Sequence, residues 1–167
     1  MLPLKYCKYK KKFISYFQYG AGYSGPFYRQ DIQSKDCTVY TLNNFLKNSI
    51  DNYIKKKDIL LLTRKNKKNK DVHIVFKGSD GGLIVDWFNL LNKLITDKYL
   101  IYNPPYKNVH ELINNEAFYG LIGNLQYSGI SQGHAVCIVK DDIDKQLYLL
   151  NSLESQPILI NNLNQIK

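Results

Sequence analysis

The spacing of apolar residues changes part-way along the chain. From 34 to 48 it is helical. The stretch Tyr40-Thr41-Leu42-Asn43-Asn44-Phe45-Leu46 puts its apolar members on one face, and Ser34 or Asp36 stands where a helix cap is needed. A second helix is expected through Ile59-Leu60-Leu61-Leu62, with Asp51 as its cap. Residues 84–95 form the strongest amphipathic pattern. Ile84, Trp87, Phe88, Leu91, Leu94 and Ile95 share a stripe that reads as core rather than as a cofactor box.

Beyond this point the period shortens. Residues 98–102 are β-like and stop at Pro104-Pro105. Residues 117–122, 134–139 and 146–150 read as strands, and the polar turn 141–145 pairs the last two antiparallel. Helices first and strands afterwards predict an α+β fold rather than a βαβ winding.

A length of 167 residues suits one domain. Residues 1–26 are basic and tyrosine-rich and end in Gly20, Gly22, Gly25 and Pro26, so a loosely packed extension is expected there, with the folded domain over 27–167. The net charge of +9 is concentrated in two runs, 8–12 and 64–70. Neither run is interleaved with aromatics as in a nucleic-acid module, so they read as a solvated tail and a solvated loop.

The three cysteines, Cys7, Cys37 and Cys137, are too few for a disulfide framework and point to a reducing compartment. Without a Cys-x-x-Cys pair no structural zinc is expected, and no cofactor is implied. The N-terminus lacks the apolar core of a signal peptide, and no stretch reaches membrane-spanning length. The expectation is a soluble intracellular protein of the cytoplasm or nucleus.

Three residues stand out together. Cys37 falls in the first turn of a predicted helix, where the positive end of the helix dipole and free backbone N–H groups favour a thiolate. His134 opens a strand directly after Gly133, and Asn151 ends the next strand. An antiparallel hairpin with its turn at 141–145 would set Asn151 beside His134, where an amide can fix the imidazole tautomer. Singly, each has an ordinary explanation: a buried thiol, a structural histidine, a turn asparagine. Cys137, three residues along the strand from His134, points to the opposite side and reads as core. The order Cys–His–Asn, nucleophile on a helix start and partners on neighbouring strands, is the layout of papain-like enzymes.

The segment Cys37-Thr38-Val39-Tyr40-Thr41-Leu42-Asn43-Asn44-Phe45-Leu46 resembles the Josephin family's nucleophile segment, with Leu-Asn-Asn-x-Leu five residues after the cysteine. Leu150-Asn151-Ser152-Leu153 and Pro157-Ile158-Leu159-Ile160 resemble that family's Leu-Asn-Ser-Leu segment and the Pro-x-Leu-Ile after it. Gly133-His134 fits its histidine segment, and Gly81-Gly82, the Trp87 helix and Tyr99-Leu100-Ile101-Tyr102-Asn103-Pro104 align more loosely. The likeness spans about residues 27–160.

It implies a papain-like α+β fold and a thiol-dependent deubiquitinase, hydrolysing peptide or isopeptide bonds at the C-terminus of ubiquitin, with ubiquitin or ubiquitinated proteins as partners. It also implies that Cys37 attacks the carbonyl, that His134 is base and then acid, and that Asn151 orients His134. For the oxyanion-hole glutamine, Gln33 is the nearest candidate, one residue short of the family spacing, and Gln30 is the alternative. The Cys37 N–H would be the second donor.

The chain departs from the family in three places. Ala135 replaces an aromatic after the histidine, the segment before the Trp87 helix is short, and the glutamine is offset.

Asp36-Cys37 also resembles the nucleophile segment of ubiquitin-like-protein proteases, but those place histidine before cysteine. Here His73, His110 and His134 all follow Cys37. Bacteriocin-leader peptidases share the order but carry Cys-Gly and lack Asn-Ser-Leu. A ubiquitin-binding pseudoenzyme and a nucleic-acid binder acting through residues 64–70 complete the alternatives.

Overall fold

The computed structural model describes residues 22–64, 74–95, 111, 113–125 and 133–162. The β-like stretch 98–102 with Pro104-Pro105, the basic runs at 8–12 and 65–70, Cys7, His73 and His110 lie outside the described residues. The fold is α+β, and the described residues include three helices, at 37–45, 56–64 and 87–94, and two antiparallel sheets.

The first helix, α1, spans Cys37–Phe45. Val39, Leu42 and Phe45 recur three residues apart and are buried. The helix stops short of the predicted end at 48 because Lys47 takes a left-handed backbone, φ 50°. A 3-10 turn, Ile50–Asn52, leads to α2, Lys56–Arg64. Asp51 sits in that turn and does not cap α2. Asp58 serves instead, its Oδ2 accepting the Lys55 N–H at 3.1 Å.

The stripe expected over 84–95 divides into two elements. Strand β1, Val75–Lys77, pairs antiparallel with β2, Leu83–Val85, and α3 begins only at Trp87 and runs to Leu94. Asp86 makes the break, its carboxylate accepting the Asn89 N–H at 3.1 Å as a helix cap. Ile84 therefore follows strand alternation and is 62% exposed beside buried Leu83. Phe88 is 40% exposed, while Leu90 and Leu91 enter the core with Trp87, Leu94 and Ile95 packed against them. The true stripe is shifted by the helix starting later.

The larger sheet has the order β3 (Gly120–Leu125), β4 (His134–Lys140), β5 (Leu147–Leu150), β6 (Ile158–Leu159). β3 begins three residues after the expected 117 because Asn115 holds residues 117 and 118 in a turn. Its Oδ1 takes the Ala117 N–H at 2.8 Å and its carbonyl takes the Phe118 N–H at 3.0 Å. β4 is buried from His134 to Val139, between its neighbours in the sheet and under α1. The core gathers Val39, Leu42 and Phe45 of α1, Ile59 of α2, Leu90 and Leu91 of α3, and Cys137, Val139, Tyr148 and Leu150 of the sheet.

Two residues ahead of position 27 pack on the sheet and its turn. Tyr23 is 2% exposed and packs on Tyr148, ring centroids 5.3 Å apart. Ser24 donates both its N–H and its hydroxyl to Asp141 Oδ2 at 2.7 Å. The apolar Tyr23 ring and the Asp141 acceptor outweigh the loop character of the surrounding glycines.

Candidate active site

Two buried asparagines set the frame. Asn44 Oδ1 accepts the Tyr28 N–H at 2.6 Å and its Nδ2 donates to the Tyr28 carbonyl at 3.0 Å. Asn43 Nδ2 donates to the Val39 and Ile54 carbonyls at 2.8 and 2.9 Å, and its Oδ1 accepts the Ile54 N–H at 2.8 Å. Helix α1 is thus stitched to the chain on both sides of it. The Thr41 hydroxyl donates to the Ala135 carbonyl at 2.8 Å, and the Thr38 hydroxyl to the Leu83 carbonyl at 2.8 Å. These bonds hold the start of α1 against β4 and β2.

The β4–β5 register does the rest. Cys137 pairs with Leu150, so Asn151 falls opposite Val136, one step beyond the last pair. His134 is then its diagonal neighbour on the same face, within reach of a long side chain. His134 Nε2 lies 2.7 Å from Asn151 Oδ1. The Leu153 N–H donates to the same oxygen at 3.0 Å, which identifies it as oxygen. An oxygen there can only accept, so Nε2 carries a hydrogen and Nδ1 is left to serve Cys37.

Cys37 is half-buried at the first position of α1, close enough to His134 for the imidazole to act on its thiol. Burial pushes its thiol up, but the His134 hydrogen bond, the backbone N–H of Ala135 and the imidazole charge more than offset it, and the net shift is down. Burial likewise pushes His134 down, while its hydrogen bonds to Cys37 and Asn151 and the Cys37 charge raise it, and the net shift is up. Opposite shifts in two touching groups favour a thiolate–imidazolium pair. Cys137 differs in every respect. It is fully buried in the core, burial alone drives its thiol far up, and its Sγ meets only the Thr41 carbonyl at 3.8 Å.

The structure brings Cys37, His134 and Asn151 together. It does not bring in Gln33, which is exposed and whose backbone N–H turns to Asp31 Oδ1 at 3.1 Å. Gln30 lies in the frame instead. It is 9% exposed, its N–H donates to the Ser152 carbonyl at 3.0 Å, and its Oε1 accepts the Ser152 hydroxyl at 2.9 Å. Its Nε2 is 3.5 Å from the Ser34 carbonyl, in the turn leading to Cys37. Ser152 was visible in the sequence only as part of the Asn-Ser-Leu segment; its buried hydroxyl is what orients the Gln30 amide. The role of the Ala135 N–H had no sequence signal, because a backbone donor carries no residue signature.

Among the described residues no group of three or more His, Cys, Asp or Glu side chains could hold a metal ion, and no helix is long and apolar enough to cross a membrane. Comparison with family models, with curated proteins and with solved structures finds no match to this chain.

Proposed function

We propose that the protein is a papain-like cysteine hydrolase that cleaves bonds at the C-terminus of ubiquitin. One observation carries the chemistry: the Asn151 oxygen holds His134 and sets its tautomer, with His134 beside Cys37 at the start of α1. The Josephin-like segments around Cys37 and Asn151 carry the substrate class. The exposed cross-strand pair Phe76 and Ile84 suits a protein substrate, because its hairpin is tied to the start of α1 through Thr38.

In this reading His134 Nδ1 holds the Cys37 proton and the thiolate attacks the scissile carbonyl. The oxyanion is met by the Cys37 N–H, for which no acceptor exists among the described residues, and by the Gln30 side-chain amide. The imidazolium returns its proton to the leaving amine, and a thioester forms on Cys37. Water, deprotonated by His134, then releases the acyl group and restores the thiol. Asn151 keeps the ring in plane throughout.

The test is reaction of the purified protein with a ubiquitin C-terminal electrophile, read by peptide mass spectrometry. A single adduct on Cys37, lost in His134→Ala, is the expected result. No ubiquitin adduct alongside fast labelling by a small thiol reagent would keep the hydrolase and reject ubiquitin, leaving a peptidase of another class. Inertness to both would reject catalysis and favour a binding protein.

A further inference from the structure

The residue before the nucleophile is an aspartate at the N-cap of α1. An N-cap aspartate ordinarily turns its carboxylate onto the open N–H groups of the first helical turn. Asp36 does not. It makes no side-chain cap bond, and its backbone, φ −103° and ψ 24°, lies outside the extended region that capping uses. Its Oδ1 is held by the ammonium of Lys56, the first residue of α2. The same Nζ donates to the Gly81 carbonyl at 2.8 Å, so Lys56 is braced from a second side.

The consequence is an uncovered helix end. The N–H groups of Val39 and Tyr40 reach the Asp36 carbonyl at 2.9 and 3.2 Å. Those of Cys37 and Thr38 have no acceptor among the described residues. For helix stability alone this is the poorer choice, since a partly exposed ion pair contributes less than a good cap. For chemistry at Cys37 it is the better one. A carboxylate, a thiolate and an oxyanion all compete for the same positive helix end, and a carboxylate seated there would repel the other two.

We infer that Lys56 is a positioning residue of the active site, holding the Asp36 carboxylate off the first turn of α1 so that this end is left to the Cys37 thiolate and the oxyanion. The inference rests on the reading of Cys37 as nucleophile. The charged and titratable groups neighbouring the start of α1 from each packed element are His134 of β4, Asp36 in the preceding turn, Lys56 of α2, and Lys35 paired with Asp80 of the hairpin turn at 3.8 Å. Of these, Asp36 is the anion that stands at the N-cap itself, next to Cys37 in the chain.

The experiment is the pH dependence of iodoacetamide alkylation of Cys37, followed at the peptide level, in the unaltered protein, Lys56→Met, Asp36→Ala and the double variant, with a thermal melt of each. Lys56→Met is expected to raise the thiol pKa by about a unit, slowing alkylation at acid pH roughly tenfold. Asp36→Ala alone should react as fast as the unaltered protein or faster, and the double variant should recover that rate. Recovery separates this role from a structural one, because removing Asp36 does not replace the lost Gly81 contact. An unchanged profile in Lys56→Met, or a double variant as slow as Lys56→Met, would overturn the inference. So would slower alkylation in Asp36→Ala, a test that holds even where Lys56→Met does not fold. If Cys37 of the unaltered protein reacts only as an ordinary thiol, the nucleophile reading fails and takes the inference with it.

Discussion

Replacing Asn44 by alanine should unfold the protein well before it touches the chemistry. Asn44 is fully buried and meets both backbone groups of Tyr28, itself 4% exposed, at 2.6 and 3.0 Å. Alanine removes both of these bonds from a buried N–H and a buried carbonyl. Each such group costs about 1–3 kcal/mol, so the pair costs about 2–6 kcal/mol. Alanine returns roughly 0.6 kcal/mol or less through its better helix propensity. The net loss is about 1.5–5.5 kcal/mol, which for a domain of this size lowers Tm by roughly 3–22 °C. Urea denaturation followed by circular dichroism measures it directly, as a lower midpoint at unchanged slope. A loss below about 1 kcal/mol would refute the reasoning, since water or a shifted backbone would then be satisfying Tyr28 without Asn44.

The remaining expectations concern the site. His134→Ala should reduce hydrolysis by about 10²–10⁴-fold, the usual weight of a general base, and Asn151→Ala by clearly less; equal losses would contradict the roles of base and orienter. Gln30→Ala should lower kcat by about 10²–10³-fold, as loss of an oxyanion donor does, while leaving Cys37 alkylation near normal, and Gln33→Ala should leave both untouched. The reverse pattern would return the oxyanion role to Gln33. Because the Cys37 thiol is lowered and His134 raised, hydrolysis should fall on both sides of a plateau. The acid limb follows loss of thiolate as pH drops through the lowered thiol value, and the alkaline limb follows loss of imidazolium as pH rises through the raised histidine value. His134→Ala should move the alkylation midpoint up to the ordinary thiol range; a midpoint already there in the unaltered protein would sink the ion-pair assignment.

What could be read from the sequence and what could not divides along physical lines. The β4–β5 hairpin was legible because its turn is chemically explicit. Asp141 Oδ1 takes the N–H groups of Ile143 and Asp144 at 2.8 and 3.1 Å, an Asx turn that aspartate advertises. Once the turn is located, strand alternation puts His134 and Asn151 on one face. The helix at 84–95 was misread because Ile84, Phe88, Leu91 and Ile95 also fit a helical period. Strand β2 exists through its pairing with β1 across the 78–82 turn, and three residues of strand are too short to show an alternation against the helical period that follows. β6, two residues long and defined by β5, is also too short to show a period, and the choice between Gln33 and Gln30 could not be made locally, because the place of Gln30 depends on Ser152, 122 residues away along the chain.

The two Josephin-like segments that suggested the function are also where the buried polar bonds concentrate. Asn43 and Asn44 belong to the first and Asn151 and Ser152 to the second, all 3% exposed or less. Asn151 bonds His134 directly. Asn44 holds Tyr28, two residues before Gln30; Ser152 holds Gln30 by both backbone and side chain; Asn43 holds Ile54, two residues before Lys56. A buried polar group is costly unless fully paired, so each of these side chains admits few substitutes and fixes its partner within a narrow range. The local pattern Leu-Asn-Asn is therefore the visible part of a framework that places Gln30 and Lys56 around the end of α1. Variants in Asn43 should then move the pH profile of Cys37 by way of Lys56, whereas variants in Asn44 should move turnover by way of Gln30. A common loss of stability alone would leave the two indistinguishable.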